Sequence, residues 1–592
     1  MIEVLLCSMN ARYVHTCLAV RSLAAYVHRQ QPIEMTLSWR EWTINDRLLP
    51  VLADLDAAAA DVYAFSCYIW NITPIIMISR ELKKIRPQAI IIWGGPEAST
   101  RAAGLMTDYP FVDYLIQGEG EKPLTALLRL LSVNRQPESP DLADVAGLVW
   151  REAQGFRQNS AAPLLDGSDW AFPYADDELQ QERDRIHYYE SSRGCPFNCS
   201  YCLSSRERTV RYRPLPLVYA ELARFIKAGV RQVKFVDRTF NCDPQRARAI
   251  WQFLLKESTE DSPTGFHFEL AGDLLDDASL QLLDQAPPGL FQFEIGVQSA
   301  HADVLASVNR VSDLDRLSRQ VERLSKAGNS HIHLDLIAGL PGESLDMFGQ
   351  SFDFICHLRP HTFQLGFLKI LPGTAISRLA AERGYKWLDE PPYEVLRSDQ
   401  LSFRELSFLK KIDSLLSFFI NIEQTRAAAL LAGFWPRPWL FYLDLAAYFQ
   451  NRHLFDRDLS VVDRLLYLYE FARERIQDQF QLTVFLDLLR TDYQLSGAKG
   501  QPVWMSFWEN STNPDHRRRL RSLRLAARLQ TGQERIRLHF DLVSFDWSVY
   551  TIDGRIEKLD YLMVYDDSNG SCRLAGHGAF GDGLPPLQVA QK

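Results

Sequence analysis

The stretch His187-Tyr-Tyr-Glu-Ser-Ser-Arg-Gly-Cys195-Pro-Phe-Asn-Cys199-Ser-Tyr-Cys202 puts three cysteines within eight residues, directly after a short run that reads as a β-strand. Three thiolates so close in one loop can hold three irons of a [4Fe–4S] cluster, whose full complement of protein ligands is four cysteines. One iron is then left open. Such an iron can chelate the amino and carboxylate groups of S-adenosylmethionine (SAM), and an electron from the cluster can cleave the carbon–sulfur bond to a 5′-deoxyadenosyl radical. A structural zinc site is the alternative; His187 and Cys242 are candidates for its fourth ligand, although zinc sites normally pair two knuckles and one is visible. The cysteines elsewhere (Cys7, Cys17, Cys242, Cys356 and Cys572) read as small buried hydrophobes. Nine cysteines, odd in number and unevenly spaced, exclude a disulfide framework and fit a reducing compartment.

Downstream of this loop, strand-like runs recur at His187–Glu190, Val233–Val236, Phe266–Leu270, Phe291–Ile295, His331–Leu336 and Phe363–Leu368, their starts roughly 25 to 46 residues apart with helical periodicity between. That spacing predicts a barrel or partial barrel of β-α units over residues 186–385, with reactive groups at the carboxyl ends of the strands. Upstream, Ile2–Cys7, Val62–Cys67, Ala89–Trp93 and Tyr114–Gln117 alternate with helical patterns such as Leu18–Val27 and Ile75–Ile85. Short apolar strands between helices predict a doubly wound parallel sheet over residues 1–134. Its strands run into Gly94-Gly95-Pro96 and Gly118-Glu119-Gly120-Glu121, at the strand ends where open sheets bind ligands. Residues 135–185, rich in Pro, Asp, Glu, Gln and Ser, read as a linker with a small hairpin around Val145–Arg157. Residues 386–592 read as mainly helical, for example over Ile412–Ile422 and Leu440–Phe449. They end in a β meander over Ile536–Phe580, with Asp553-Gly554 and Asn569-Gly570 as turns.

Composition narrows the classes. The 592 residues are 46% hydrophobic and 23% charged, enough apolar content for several cores and too much for a disordered or collagen-like chain. Lys and Arg number 65 against 74 Asp and Glu, a formal charge of −9, which argues against electrostatically driven nucleic-acid binding. No apolar run reaches the ~18 residues of a membrane span. The start, Met1-Ile-Glu-Val-Leu-Leu-Cys7, has no export signal, so a cytoplasmic location is expected.

The C-x3-C-x-aromatic-C spacing of Cys195, Cys199, Tyr201 and Cys202 resembles that of the radical S-adenosylmethionine superfamily. That resemblance implies a (β/α)6 partial barrel carrying the cluster after its first strand, with Tyr201 approaching adenine. Glu294-Ile-Gly-Val-Gln298-Ser299 and Gly339-Leu-Pro-Gly-Glu343 look like the family's ribose and methionine contacts, and Leu371-Pro-Gly373 like its adenine contact. The Gly-Gly-Glu common after the second strand is replaced by Asp237-Arg-Thr-Phe-Asn241. Asp237 could still accept from the SAM ammonium, or Asp237 and Asn241 could form a simple turn and helix cap. Glu269 and Glu294 sit on strands facing the barrel mouth, where burial without a ligand is expensive, and are assigned to SAM.

The preceding doubly wound, Rossmann-like domain resembles the cobalamin-binding module of class B radical enzymes. The matching residues are Asn10-Ala-Arg12-Tyr13-Val-His15, Ser66-Cys67-Tyr-Ile-Trp70-Asn71, Gly94-Gly95 and Gly118-Glu119-Gly120-Glu121. Small residues at strand ends admit a bulky corrinoid tail to the backbone. The Asp-x-His-x-x-Gly signature of an axial histidine is missing; His15 lies in the corresponding loop and is either a cobalt ligand or a surface or capping group. Taken together, the resemblance implies an anaerobic enzyme using a [4Fe–4S] cluster, SAM and cobalamin to methylate an unactivated carbon or a phosphinate. Its partners would be a small-molecule or peptide substrate and a flavodoxin- or ferredoxin-type electron donor. The alternatives are radical cyclisation, oxidation or rearrangement without methyl transfer, and a non-catalytic corrinoid- or zinc-binding regulator. In the carboxyl-terminal third, Trp435, Trp439, Trp504 and Trp508 read as core rather than substrate cavity. The arginine-rich stretch His516–Arg524 reads as a solvated helix face, with RNA contact as the minor alternative.

Overall fold

The computed structural model describes residues 2–30, 35–135, 137, 139–152, 155–259, 264–421, 425–496, 498 and 502–507, together with the backbone of three strands at 538–545, 558–566 and 571–575. Contacts divide the chain into one unit of residues 1–347 with 366–406 and another of 348–365 with 407–592.

The first unit begins with a seven-stranded sheet of β1 (Ile2–Asn10), β2 (Met35–Thr43), β3 (Val62–Ser66), β4 (Ile90–Gly94), β5 (Tyr114–Ile116), β6 (Leu148–Glu152) and β7 (Gly155–Gln158), in the order β2-β1-β3-β4-β5-β6-β7. β1 to β5 pair in parallel. Because β1, β3 and β4 are apolar on both faces, the sheet is covered on both sides. Leu5, Cys7, Met9, Phe65 and Trp93 enter one core, and Val4, Leu6, Ala64 and Ile92 the other. β2 escapes a reading by apolar runs because it is an edge strand, with polar Thr36, Ser38 and Arg40 at alternate positions and Glu41 beside them. The expected hairpin near Val145–Arg157 forms as β6 and β7, but it pairs antiparallel onto β5 and completes this sheet. The stretch taken as a linker therefore holds the sheet's last two strands, with Leu148 and Trp150 buried in its core.

The second sheet uses β8 (Ile186–Tyr189), β11 (Gln232–Phe235), β12 (Gly265–Leu270), β13 (Phe291–Gln298), β14 (His331–Ala338) and β15 (Thr362–Phe367), in that spatial order. Between β8 and β11, a short antiparallel ribbon of β9 (Ser192–Arg193) and β10 (Arg211–Tyr212) brackets the cysteine loop. β8 to β14 pair in parallel. Along β13 the alternation is strict: Phe291, Phe293, Ile295 and Val297 are buried, while Gln292, Glu294, Gly296 and Gln298 stand partly open. β14 repeats the pattern, with His331, His333 and Asp335 on the open side. Period-two alternation in a parallel sheet means that only one face carries helices and the other lines a polar interior. The loop after β1 joins this sheet directly: Ile186 N–H donates to Val14 O (2.7 Å) and Thr16 N–H to Ile186 O (3.2 Å). A last hairpin, β16 (Lys386–Trp387) and β17 (Val395–Arg397), follows the barrel.

The second unit is helical over 403–419 (from residue 407 on), 426–432, 438–451, 461–475 and 479–495. Its aromatics pack as core: Trp439 is buried against Phe348 and Phe352, and Trp435 stacks on Phe471 with centroids 5.7 Å apart. β18 (Leu538–Phe545), β19 (Lys558–Asp566) and β20 (Ser571–Ala575) form the expected antiparallel meander. Trp508, the stretch His516–Arg524 and the turns at 553–554 and 569–570 lie outside the described residues. No helix among the described residues is long and apolar enough to cross a membrane.

Gly95 ends the β4 turn at φ +96°, and a Cβ there would stand 2.8 Å from Cys67 O, on backbone that cannot swing away. Gly104 lies in the helix 96–108 with open space around it. Gly95→Ala is therefore expected to cost about 3 kcal/mol in urea denaturation, while Gly104→Ala adds roughly 0.5–1 kcal/mol; equal midpoints for the two variants would show that the clash is relieved.

Candidate active site

The cysteine loop is pinned from three directions. Cys195 N–H donates to Glu207 O (3.0 Å), Ser200 N–H to Val308 O (2.8 Å), and Ile376 N–H to Ser200 O (2.9 Å). Cys195 and Cys199 are buried, Cys202 is half-buried, and none is in a disulfide. Hydrogen-bonding groups face two of the sulfurs, with Thr239 Oγ1 3.7 Å from Cys195 Sγ and Arg310 Nη1 3.9 Å from Cys199 Sγ. Among the described residues, the one group of His, Cys, Asp or Glu whose ligand atoms all lie within 4.8 Å of one another is Glu294, His333 and Asp335. The three cysteine sulfurs do not all lie within that spacing of one another. Three free thiols on one loop, two of them faced by hydrogen-bonding groups, are a donor set that suits an iron–sulfur cluster. The two candidate fourth zinc ligands have other neighbours. His187 points to the outer side of β8, against Tyr174 and Phe225, and burial lowers its pKa to about 4; Cys242 Sγ lies 3.4 Å from Tyr212 Oη.

Cys199 opens onto a cavity of about 160 Å³ whose wall includes Arg238, Glu269, Glu294, Gln298, Arg310 and Asp335. Its floor is a charged layer contributed by four successive strands. Glu294 Oε2 is 3.2 Å from Lys234 Nζ, 3.1 Å from His267 Nε2 and 3.9 Å from His333 Nδ1, and His333 Nε2 is 2.8 Å from Asp335 Oδ1. Burial would raise the Glu294 pKa, but the His267 hydrogen bond and the Lys234 and His333 charges hold it down at about 2. Glu269 lacks such a partner. Burial and the neighbouring Glu294 push it up to about 7.

The residues expected to meet SAM divide into two sets. Glu269, Glu294 and Gln298 line the cavity. Gln298, at φ +70° on a β13 bulge, folds its amide back over Gly296. Tyr201 adjoins Cys199 and Arg310, and burial raises its pKa. Leu371 begins the turn whose Gly373 lies beside Arg206 and Thr100. Asp237 and Ser299 turn elsewhere. Asp237 is buried and accepts from Ser191 N–H (2.9 Å) and from both the Ser191 and Ser192 hydroxyls (2.6 Å each), so its oxygens brace the chain entering the cysteine loop rather than facing the cavity. Ser299 Oγ donates to Glu343 Oε1 (2.6 Å). Arg310 was not singled out in the sequence. Its guanidinium meets Gly296 O as well as Cys199, and its Nε is buried without a hydrogen-bond partner. Its one sequence signal is a lone Arg following the β13 segment.

The strand-end loops of the first sheet hold a similar mixture. Asn71 is fully buried and organises its loop, accepting from Tyr68 N–H (2.7 Å) and donating to Met9 O (3.1 Å) and Ser66 O (3.0 Å). Cys67 is buried with its thiol pKa raised by desolvation, and Ser66 Oγ faces Cys17 Sγ at 3.8 Å. These side chains, with Gly95, shape the loop skeleton and do not point outward as contacts. Glu119 is likewise committed, to Arg193 and Arg211. Tyr13 is exposed beneath the Arg185 guanidinium. Gly94 stands at the end of β4, and Gly118 has no heavy atom within 4 Å of where a Cβ would stand, which leaves room for a bulky group at the sheet's carboxyl edge. His15 Nδ1 is 2.8 Å from Tyr188 Oη. Burial first, then the nearby Arg12, Lys234 and Arg185 charges, lower its pKa and keep the ring neutral. A neutral imidazole with Nδ1 held by a hydroxyl is the form that ligates metals.

Comparison with known proteins agrees with this arrangement. A model of the radical SAM superfamily matches residues 189–355, and one of the B12 binding domain matches residues 8–128. DUF4080, described as a protein of unknown function, matches residues 381–562. The cobalamin-dependent radical SAM methyltransferase TokK of Streptomyces tokunonensis is 26% identical over 331 residues, 53% of this chain and 48% of TokK. The 2-(S-pantetheinyl)-carbapenam-3-carboxylate methyltransferase of Streptantibioticus cattleyicolor is 25% identical over 350 residues, 55% of this chain and 49% of that protein. The chain thus spans about half the length of these curated relatives. In fold it is similar to the cobalamin-dependent SAM radical enzyme OxsB with aqua-cobalamin and SAM bound (TM-score 0.59, 16% identity, 90% of this chain and 81% of that one). It is also similar to the radical SAM methyltransferase TsrM of Kitasatospora setae with cobalamin and cluster bound (TM-score 0.54, 16% identity, 66% and 81%). The chain carries a B12-binding domain followed by a radical SAM domain, which take cobalamin, and a [4Fe–4S] cluster with SAM, respectively.

Glu269 gives the site a measurable signature. Its folded pKa, near 7, lies above the unfolded carboxylate value, so the native state binds the extra proton and this group's contribution to stability falls as pH rises through about 4.5 to 7. Glu269→Gln is expected to melt increasingly above the wild type between pH 5 and pH 8; parallel melting temperatures across that range would show that the carboxylate is already compensated.

Proposed function

We propose, from a chain that joins a B12-binding domain to a radical SAM domain, that this protein is a cobalamin-dependent radical SAM methyltransferase acting on an unactivated carbon. The observation that carries the reading is the cysteine loop: three free thiols within eight residues, of which Cys199 opens on a cavity lined by both carboxylates and guanidinium groups. When bound, the cluster supplies the electron that cleaves SAM to a 5′-deoxyadenosyl radical, and cobalamin supplies the methyl group. Cys195, Cys199 and Cys202 would hold the cluster.

The chain's own residues then bind and orient. Arg310, beside Cys199 with an unpartnered buried Nε, is placed to take the SAM carboxylate by a charge-assisted hydrogen bond. Glu269 is the cavity carboxylate free of an internal partner, and would accept from the SAM ammonium or ribose hydroxyls. Glu294, locked by Lys234 and two histidines, would keep its charge and position whatever binds above it. Gln298 and Leu371 would flank the nucleoside, with Tyr201 against adenine. In the first domain, the edge around Gly94 and Gly118 would admit the corrinoid tail, and Tyr188 would hold His15 so that Nε2 is the nitrogen presented to cobalt. A flavodoxin- or ferredoxin-type donor and a small-molecule or peptide substrate complete the reading.

Anaerobic reconstitution with iron, sulfide and hydroxocobalamin tests it. A corrin absorption band is expected to co-elute with the protein, and Cys199→Ala should abolish reductive SAM cleavage; 5′-deoxyadenosine from that variant would refute the cluster assignment. Arg310→Ala should raise the SAM KM about tenfold or more, as for loss of one charge-assisted pair. With substrate, S-adenosylhomocysteine together with 5′-deoxyadenosine marks methyl transfer, whereas 5′-deoxyadenosine alone would replace it with a cyclisation or oxidation.

A further inference from the structure

We propose that Arg193 is a latch that ties the strand-end loop of the B12-binding domain to the cysteine loop, and so sets the spacing between the two metal-bearing sites. The proposal deepens the function given above and rests on it. Arg193 lies on β9, two residues before Cys195, with its side chain 15% exposed. Each of its three nitrogens meets a different carboxylate: Nη1 is 3.0 Å from Glu119 Oε1, Nη2 is 2.7 Å from Glu121 Oε1, and Nε is 2.8 Å from Glu190 Oε2. The flat of the guanidinium rests on Trp170, 4.7 Å from the ring centroid. Glu119 lies in the turn after β5, the place expected to receive cobalamin, and Glu121 opens the helix 121–133 that follows, whereas Glu190 directly follows β8.

A second arginine closes the connection into a ring. Arg211 Nη2, on the strand paired with β9, is 2.7 Å from both Glu119 Oε1 and Glu207 Oε1. The carbonyl of the same Glu207 accepts Cys195 N–H at 3.0 Å. Covalent chain and ion pairs thus run from Cys195 through Glu207, Arg211, Glu119 and Arg193 back to Cys195. Other contacts between the two domains, such as Arg185 with Glu41 and Tyr393 with Glu97, are made by other segments. Lysine could not replace Arg193, because a single ammonium lacks the planar fork that serves three separated carboxylates. Removing the guanidinium leaves Glu121 and Glu190 without this ion-pair partner, while Glu119 keeps Arg211, so the loops lose two of the three carboxylate ties that Arg193 makes. Arg193 is therefore a positioning residue. Its side chain is engaged by three carboxylates, and its effect is read in distance rather than in binding.

The test uses the full chain loaded with hydroxocobalamin and cluster, reduced so that both cob(II)alamin and the cluster are paramagnetic, and measures their magnetic coupling by pulsed electron paramagnetic resonance. Arg193→Gln is expected to widen the cobalt-to-cluster distance distribution at least about twofold with both cofactors still bound; a distribution superimposable on wild type overturns the proposal. Glu121→Gln, which keeps an acceptor for the guanidinium and removes one charge, should widen it less, and serves if the first variant does not fold. In the cofactor-free chain, backbone amides of residues 117–121 should exchange roughly tenfold faster in Arg193→Gln; equal exchange refutes the latch whatever the cofactors do. A wild-type chain that holds no corrinoid refutes instead the proposed function, and with it the purpose assigned to the latch, and shows in the absorption spectrum before any variant is compared.

Discussion

Three sulfur donors on one loop can act together only if the fold around them holds that loop in place. Backbone achieves this. The loop is hydrogen-bonded to the 3-10 turn after it, to the Val308 carbonyl beyond β13, and to Ile376 after the last barrel strand. Each anchor comes from a part of the barrel that must itself be in place, so the donor set is as rigid as the fold that surrounds it.

The barrel interior obeys the same logic in charge. A parallel sheet with helices on one side alone can bring Lys234, His267, Glu294, His333 and Asp335 inward from four strands, and these groups neutralise one another. Buried charges are tolerable when paired. Glu269 stands outside this arrangement, and Arg310 keeps a donor in reserve. Uncompensated polarity next to Cys199 is costly for a fold to keep, and such groups mark candidate ligand sites.

Carboxylates at the sheet ends carry a second lesson. Asp237 and Glu119 have the right chemistry for ligand contact, yet the folded chain commits Asp237 to Ser191 and Ser192 and Glu119 to two arginines. Asn71 and Cys67 similarly build their loop from within. A motif names residues that a loop needs; it does not say whether the need is for the ligand or for the loop's own shape.

The amino-acid sequence by itself determined the two sheets, the β-α rhythm of the barrel and the cysteine triad, because apolar periodicity and thiol spacing are local properties of the chain. It hid β2, whose polar edge carries no apolar run, and it hid the incorporation of β6 and β7 into the first sheet, which depends on a free edge that exists only once β5 is in place. Only the tertiary structure decided that Arg310 adjoins Cys199 across 111 residues of chain, and that Glu119 faces Arg193 and Arg211. Such pairings are products of Coulomb attraction and burial between elements distant in sequence. The partner of each charge is chosen by packing, and no spacing along the chain records it.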